Sequence, residues 1–284
     1  MPQKVQNPHP EFDRQSSRVL KMVLESMAPL DTQEGTDHRV KVLADLERMV
    51  REFVTKTCIS KGIDSHAAKQ AGGKICVSGS YRLGINEPDA DIDAVCFVPR
   101  HVSREDFFTT LYTMLDECKD VTDLKPPIRD ARVPLMNLVF RNIEIDLIMA
   151  RLPVERVDKD LDIRFDEILK GVEVTEIRSI NGPRDNEVLS DLVHNFENFK
   201  IVLRAVRLWA KRRGVFKNKF GYLGGINCVI MTAFVCQSMP QALPSRLLYV
   251  LFQMFSKWKW PKPVRFSLSL SLSNKYKQKL NVPL

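Results

Sequence analysis

The stretch 79–98, GSYRLGINEPDADIDAVCFV, restricts the fold more than any other part of the chain. Acids stand at positions 89, 91 and 93, and an apolar run follows them at once. In a strand, side chains alternate, so residues two apart share a face. The pattern predicts a strand on which Asp91 and Asp93 project side by side, with Ile92 and Ala94 on the opposite face and Asp89 as a third acid beside the pair. Past Ala94 the run is apolar on both faces, which suits the centre of a sheet. Neighbouring carboxylates repel each other, and a shared cation relieves that repulsion.

The surrounding sequence reads as a small α+β unit over residues 75–152, with three or four strands. KICVSGS is a strand entering a glycine turn, where Gly79 and Ser80 offer backbone N–H groups and a hydroxyl to an anion. Ser103 and Asp106 resemble a capping box that opens a helix running through Cys118. ARVPLMNLVF and IEIDLIMARL, separated by Arg141 and Asn142, read as a hairpin. Asp146 lies on its second strand, with Ile145 and Leu147 facing the other way. If that strand neighbours the acidic one, Asp146 closes a three-carboxylate cluster suited to a hard divalent ion. A lone DxD is weak, because it also occurs where a metal holds a nucleotide sugar and on ordinary solvent-facing strand ends. Gly79-Ser80, then Asp91 and Asp93, then Asp146 form a more specific set: a phosphate cradle opposite a metal cluster. Two Mg²⁺ ions held there suit nucleotidyl transfer. Asp91 and Asp93 would touch both ions. Asp146 would touch the ion that activates a 3′-hydroxyl, and is the best-placed residue to help remove its proton.

The flanks are helical. Residues 1–15 read as a loose polar arm. Arg18–Met27 is a short helical pattern with Val19, Val23 and Met27 on one side, and Val40–Val54 is a stronger one. After Pro153, helices are expected at Asn198–Arg213, Asn227–Gln237 and Arg246–Lys257, with GYLGG as a break. Lys200, Arg204, Arg207 and Lys211 fall on one helix face and, with Arg212, Arg213, Lys217 and Lys219, make the densest basic cluster. That cluster reads as a wall facing phosphates or as an ordinary solvated face. The chain carries 43 basic and 35 acidic residues, a net charge of +8, which mildly favours a polyanionic partner. Six scattered cysteines without a CxxC pair read as structural thiols. The N-terminus lacks an apolar signal region, and no apolar run approaches the ~18 residues that span a membrane. Smaller signals are His101 as a base, Trp258 and Trp260 as base-stacking residues, and Lys211–Gly214 as a nuclear targeting patch.

GSYRLG, DADIDAVCFVPRHVSREDFF, NIEIDLIMARL, IRSINGPRDNEVL, LRAVRLWAKRRGVF and GYLGGIN occur in that order over residues 38–263. Together they resemble the eukaryotic nuclear poly(A) polymerases, of the polymerase-beta-like nucleotidyltransferase superfamily. The resemblance implies an α+β catalytic domain with a mixed sheet (38–154), after an N-terminal arm and short helix (1–37). It implies a truncated helical central domain (155–263) and a divergent tail (264–284) in place of an RNA-binding domain. It further implies Asp91, Asp93 and Asp146 as metal ligands. Gly79 and Ser80 would face the ATP phosphates, Asn181 the incoming nucleotide, and Gly225 and Ile226 the adenine or ribose. Leu135 would lie against the base.

The nucleotide pocket departs from the family. Arg207 stands where the family has Lys and Phe216 where it has Tyr, both at positions that contact the ATP phosphates. Arg keeps the charge but not the shape, and Phe lacks the hydroxyl donor, whose bond to a charged group contributes ~1.5–3 kcal/mol. Ser78 replaces an aromatic residue, and Asp89 replaces Gly. The function implied is template-independent addition of AMP from ATP to RNA 3′ ends with two Mg²⁺ or Mn²⁺ ions, in mRNA polyadenylation in the nucleus. Cleavage and polyadenylation factors would be partners, and no membrane is involved. The alternatives are a weakly active or inactive binder of the same family, and a transferase of another nucleotide.

Overall fold

A computed structural model describes residues 10–266. The first nine residues of the expected arm and residues 267–284 of the serine–leucine tail lie outside the described residues. In chain order the elements are α1 (Pro10–Met27), α2 (Gln33–Ser60), α3 (Ser65–Gln70), β1 (Lys74–Val77), α4 (Gly79–Arg82) and β2 (Ile92–Val98). Next come α5 (Arg104–Asp106), a π turn (Phe107–Leu111), α6 (Tyr112–Asp116), β3 (Val121–Leu124), β4 (Leu135–Phe140) and β5 (Ile143–Arg151). The last helices are α7 (Val174–Leu192), α8 (Phe196–Arg212), α9 (Gly225–Ser238) and α10 (Pro244–Phe255). The chain divides into two compact units, residues 31–188 and residues 1–30 with 189–284.

The first unit is built on a five-stranded mixed sheet of order β1-β2-β5-β4-β3. β2 and β5 are parallel, and the other neighbours are antiparallel. This is the expected α+β class with one strand more than expected at its upper count. The unexpected strand is β3, an edge strand whose ladder with β4 shifts register between Val121 and Asp123. Its Thr-Asp centre gave no apolar pattern to read. The β4–β5 hairpin turns on Arg141 and Asn142, at φ 47° and 65°. Two successive left-handed residues suit the right-handed twist of the strands they join. That turn pairs Phe140 with Ile143 and so fixes the whole register, which brings Asn137 opposite Asp146.

Alternation then separates two cores. Ile92, Ala94, Cys96 and Val98 of β2, with Ile145, Leu147 and Met149 of β5, bury one face against Leu46, Val50 and Phe53 of α2 and against Phe107 and Leu111. Each such side chain contributes about 1.5–3 kcal/mol on burial. On the other face Val95, Phe97 and Ala150 pack with Ile163 and with Ile180 of α7. The sheet is thus covered on both faces, as the doubly apolar β2 predicts. The Ser103–Asp106 capping box is present, with the Ser103 hydroxyl accepting from Asp106 N and the Asp106 carboxylate accepting from Ser103 N. The helical stretch it opens ends at Asp116, not Cys118.

The second unit gathers α1, α8, α9 and α10. Pro10 to Gln15, expected to be loose, form the first turns of α1. Proline suits a first helical position, where its missing N–H would have no intrahelical partner. The apolar side of α1 is turned outward: Val19, Val23 and Met27 are exposed while Asp13, Ser17 and Leu24 are buried. Polar contacts set that orientation. Ser17 donates to Ser245 Oγ at 2.9 Å, and Ser245 Oγ donates to the Asp13 carbonyl at 2.9 Å. Trp258 packs edge-on to Phe234, with centroids 5.6 Å apart, and donates through Nε1 to the Lys262 carbonyl at 2.8 Å. Trp258 is therefore packing, and Trp260 lies 6.3 Å from the Phe255 ring. All six cysteines are free thiols. No helix among the described residues is long and apolar enough to cross a membrane.

Candidate active site

Asp93 on β2 and Asp146 on β5 are register partners on adjacent parallel strands. Direct partners share a face, so both project on the side that packs under α7, and both are half-buried. Asp91 stands one residue before β2 begins and is exposed. Its charge nevertheless reaches Asp146. Burial raises the proton affinity of Asp146 most, the Asn137 hydrogen bond opposes that, and the charges of Asp91 and Glu144 raise it further. Among the described residues no group of three or more His, Cys, Asp or Glu is drawn together closely enough to hold a metal by itself. The donors nonetheless fit a small hard cation. All are carboxylate oxygens, two stand directly across from each other, and a third acts on Asp146 through its charge. Mg²⁺ is bound in this way, by one or two carboxylates plus substrate phosphates and waters rather than by an all-protein cage.

The glycine turn meets the acids directly. Ser78 N donates to the Asp93 carbonyl at 2.9 Å, which carries the β1–β2 ladder one residue past the end of β1. Gly79 follows at φ +66°, and a Cβ there would lie 2.2 Å from Asp93 Oδ2. Backbone conformation and close approach therefore both demand glycine. Ser80 is half-buried in α4, directly after Gly79. On α7, Ile180 anchors the helix in the core under this face. The next residue, Asn181, keeps a buried Oδ1 without a hydrogen-bond partner. A Cβ on Gly182 would lie 3.4 Å from Ser78 Oγ, so α7 approaches the cradle where the sequence places small residues on both sides. Arg82 of α4 donates to Glu187 of α7 at 2.6 Å and ties the two helices together. Leu135, two residues before Asn137 on β4, shares the Asp146 face.

Two positions that shape the candidate site escaped the sequence reading. Asn137 donates to Asp146 Oδ1 at 2.5 Å. The two-residue turn would have revealed it, because the pairing Phe140–Ile143 dictates Asn137–Asp146. The second is Arg39 of α2, whose side chain is 2% exposed and pairs with Asp31 at 2.7 Å. Its Nη2 donates to the Pro88 carbonyl at 2.7 Å, clamping the loop that delivers Asp91. A charged residue on an amphipathic helix gives no sign that it is buried.

Asp89 is not on the strand. It lies in an exposed turn before β2, because the ladder starts only at Ile92. His101 pairs with Glu155 at 2.5 Å, beyond the opposite end of β2 from the acids. The remaining expected site residues belong to the second unit. Arg207 is half-buried on α8 and its charge acts on Cys228 of α9. Phe216 is half-buried in the following loop. Gly225 opens α9 with nothing within 4 Å of a built Cβ, and Ile226 is exposed. The basic face of α8 does not act as one surface. Lys200 pairs with Glu197 at 2.7 Å. Arg204 donates to the Ala28 carbonyl at 2.8 Å and to that of Leu24 at 3.3 Å, at the C-terminal end of α1. Lys211, Arg212, Arg213, Lys217 and Lys219 are exposed.

The family model for the poly(A) polymerase nucleotidyltransferase domain matches residues 2–193. That for the poly(A) polymerase central domain matches residues 198–281, which takes in most of the segment after Pro263. Nuclear poly(A) polymerase 1 of Arabidopsis thaliana is 40% identical over 255 residues, covering 89% of this chain and 36% of that protein. Poly(A) polymerase pla1 of Schizosaccharomyces pombe is 43% identical over 229 residues, covering 81% of this chain and 40% of that protein. The chain thus spans less than half the length of these relatives. A solved structure of Cid1, an RNA terminal uridylyl transferase, superposes with a TM-score of 0.60 at 12% identity over 88% of this chain and 75% of that one. At that identity the likeness shows a shared nucleotidyltransferase fold.

Proposed function

The chain belongs to the poly(A) polymerase family, and from that premise we propose that it transfers AMP from ATP to the 3′ end of RNA without a template. The observation that carries the reading is the contact of Gly79 with the Asp93 carboxylate, with Asp146 in register across the sheet. The carboxylate can come this close to the glycine turn only because position 79 has no side chain.

In the proposed reaction the RNA 3′-hydroxyl attacks the α-phosphorus of ATP. A new P–O bond forms, the bond to the β-phosphate breaks, and pyrophosphate leaves. Asp91, Asp93 and Asp146 would supply the oxygen ligands for two divalent cations, Mg²⁺ or Mn²⁺. When bound, such ions make the hydroxyl more acidic and stabilise charge on the attacking and leaving oxygens. We assign to Asp146 the help in taking the hydroxyl proton, which its raised proton affinity supports. Gly79 and Ser80, with Ser78 beside them, would face the triphosphate. Asn181, with its unpartnered Oδ1, would read a donor on the nucleotide. Leu135 would lie against the base, and Gly225 and Ile226 would border the adenine or ribose. Arg207 and Phe216 would stand by the phosphates, Arg207 with its charge and Phe216 without a hydroxyl. The exposed cations of 211–219 would favour the RNA backbone. Nuclear residence and association with the mRNA cleavage and polyadenylation machinery belong to the same reading.

Purified protein, a labelled oligo(A) primer and each nucleoside triphosphate in turn test it. Ladder growth with ATP alone, in Mg²⁺ or Mn²⁺, is the expected result. Growth with UTP in preference to ATP would reassign the nucleotide, and no growth with any nucleotide would remove the enzymatic reading.

A further inference from the structure

Asn137 stands on β4 directly across from Asp146, and its Nδ2 donates to Asp146 Oδ1 at 2.5 Å. Both residues are half-buried, and both backbones are held by the β4–β5 ladder, so neither side chain can withdraw far. With Oδ1 accepting from Asn137, Oδ2 is the less engaged oxygen of Asp146 and the better placed to take a cation alone. Divalent ions respond differently to such a ligand. Mg²⁺ demands near-octahedral geometry, and Mn²⁺ takes the same oxygen-rich octahedral sites. Ca²⁺ accepts six to eight oxygens in flexible arrangements and often takes both oxygens of one carboxylate.

We propose that Asn137 is a positioning residue that sets metal selectivity. By drawing on Oδ1 it disfavours two-oxygen binding by Asp146, which biases the acid cluster toward Mg²⁺ and Mn²⁺ and against Ca²⁺. The inference rests on the metal-dependent reading above and names the residue that chooses the ion. Groups that orient a metal ligand typically change affinity about 10–100-fold when removed. A merely structural role for Asn137 would weaken both ions together, whereas a selectivity role changes their ratio.

The test is a Mn²⁺ titration followed by the paramagnetic resonance signal of the free ion, with Ca²⁺ as competitor and no nucleotide present. Wild type is compared with Asn137→Leu, Asn137→Asp and Asp93→Ala. Wild type should bind Mn²⁺ in preference to Ca²⁺, and Asp93→Ala should lose most of that binding. Asn137→Leu leaves Oδ1 free, and Asn137→Asp replaces the donor with another acceptor. Both should lower the Mn²⁺-to-Ca²⁺ preference by about tenfold or more. A preference within twofold of wild type in both variants, with Asp93→Ala still defective, overturns the role of Asn137 and leaves the metal site standing. Absence of Mn²⁺ binding in wild type, or binding indifferent to Asp93→Ala, overturns the metal-dependent reading and this inference with it.

Discussion

The acids of the sheet and the cations of α8 were both singled out by spacing, and their fates differ. Asp93 and Asp146 lie some fifty positions apart in the chain yet end as register partners. Lys200, Arg204, Arg207 and Lys211 share one helix face, yet Lys200 pairs locally and Arg204 caps α1. A strand ladder fixes both the face and the level of each side chain. Helical spacing fixes only the face, and whatever packs there decides what each residue does. Charge placement is therefore more readable from a strand than from a helix.

The largest expected effect concerns Arg39, a fully buried helix charge in the sheet unit. Arg39→Met leaves Asp31 uncompensated and releases the Pro88 carbonyl. Breaking a buried pair in this way should cost about 3–5 kcal/mol in urea unfolding. A loss below about 1 kcal/mol would mean that other contacts hold the acidic loop. Gly79→Ala comes next. Its Cβ would displace the Asp93 carboxylate, and a misplacement near 1 Å costs roughly a hundredfold in rate. Single-turnover extension of oligo(A) measures it, and a near-normal rate would show that the cradle is not where the phosphates sit.

Two neighbours on α8 then sharpen the contrast. Arg204→Ala should destabilise the protein by about 2 kcal/mol, because it strips a charged donor from the Leu24 and Ala28 carbonyls. Lys200→Ala should change it by less than about 1 kcal/mol, since its partner Glu197 is exposed and the pair is local to one helix. Equal effects at the two positions would erase the distinction between a capping arginine and a locally paired lysine.

A subtler effect separates stability from function at Asp146. Its proton affinity is raised in the folded state, so the stability linked to this group is full below the unfolded-state pKa and is lost as pH rises through the folded one. In metal-free protein at neutral pH, Asp146→Asn should therefore unfold at a higher urea concentration than wild type. The gap should close as the pH falls below the ordinary carboxylate range. An unchanged gap across that range would remove the electrostatic strain assigned to this carboxylate.

Much of the sheet unit was legible because strands and turns carry strong local signals. The alternation after Asp91, the Arg141-Asn142 turn and the Ser103 capping box each match a structural feature. What was missed follows from tertiary choices. β3 is an edge strand with a polar centre, so it offers no apolar alternation. Asp89 continues the spacing of Asp91 and Asp93 but precedes the ladder, and spacing alone does not mark where a strand begins. The apolar stripe of α1 faces outward because the hydroxyls of Ser17 and Ser245 fix the buried side. Asn137 was readable in principle from the turn, whereas Arg39 was not, because nothing local distinguishes a buried arginine from a solvated one.

The central claim is that Asp93 and its partners form a working transfer centre. The most direct measurement is the rate of single AMP addition to a 5′-labelled oligo(A) primer under enzyme excess, for wild type and Asp93→Ala side by side. The variant is expected to be slower by about a thousandfold or more, as removal of charge stabilisation worth several kcal/mol requires. Equal rates in the two proteins, or a wild-type rate that does not respond to chelation of divalent ions, would contradict it.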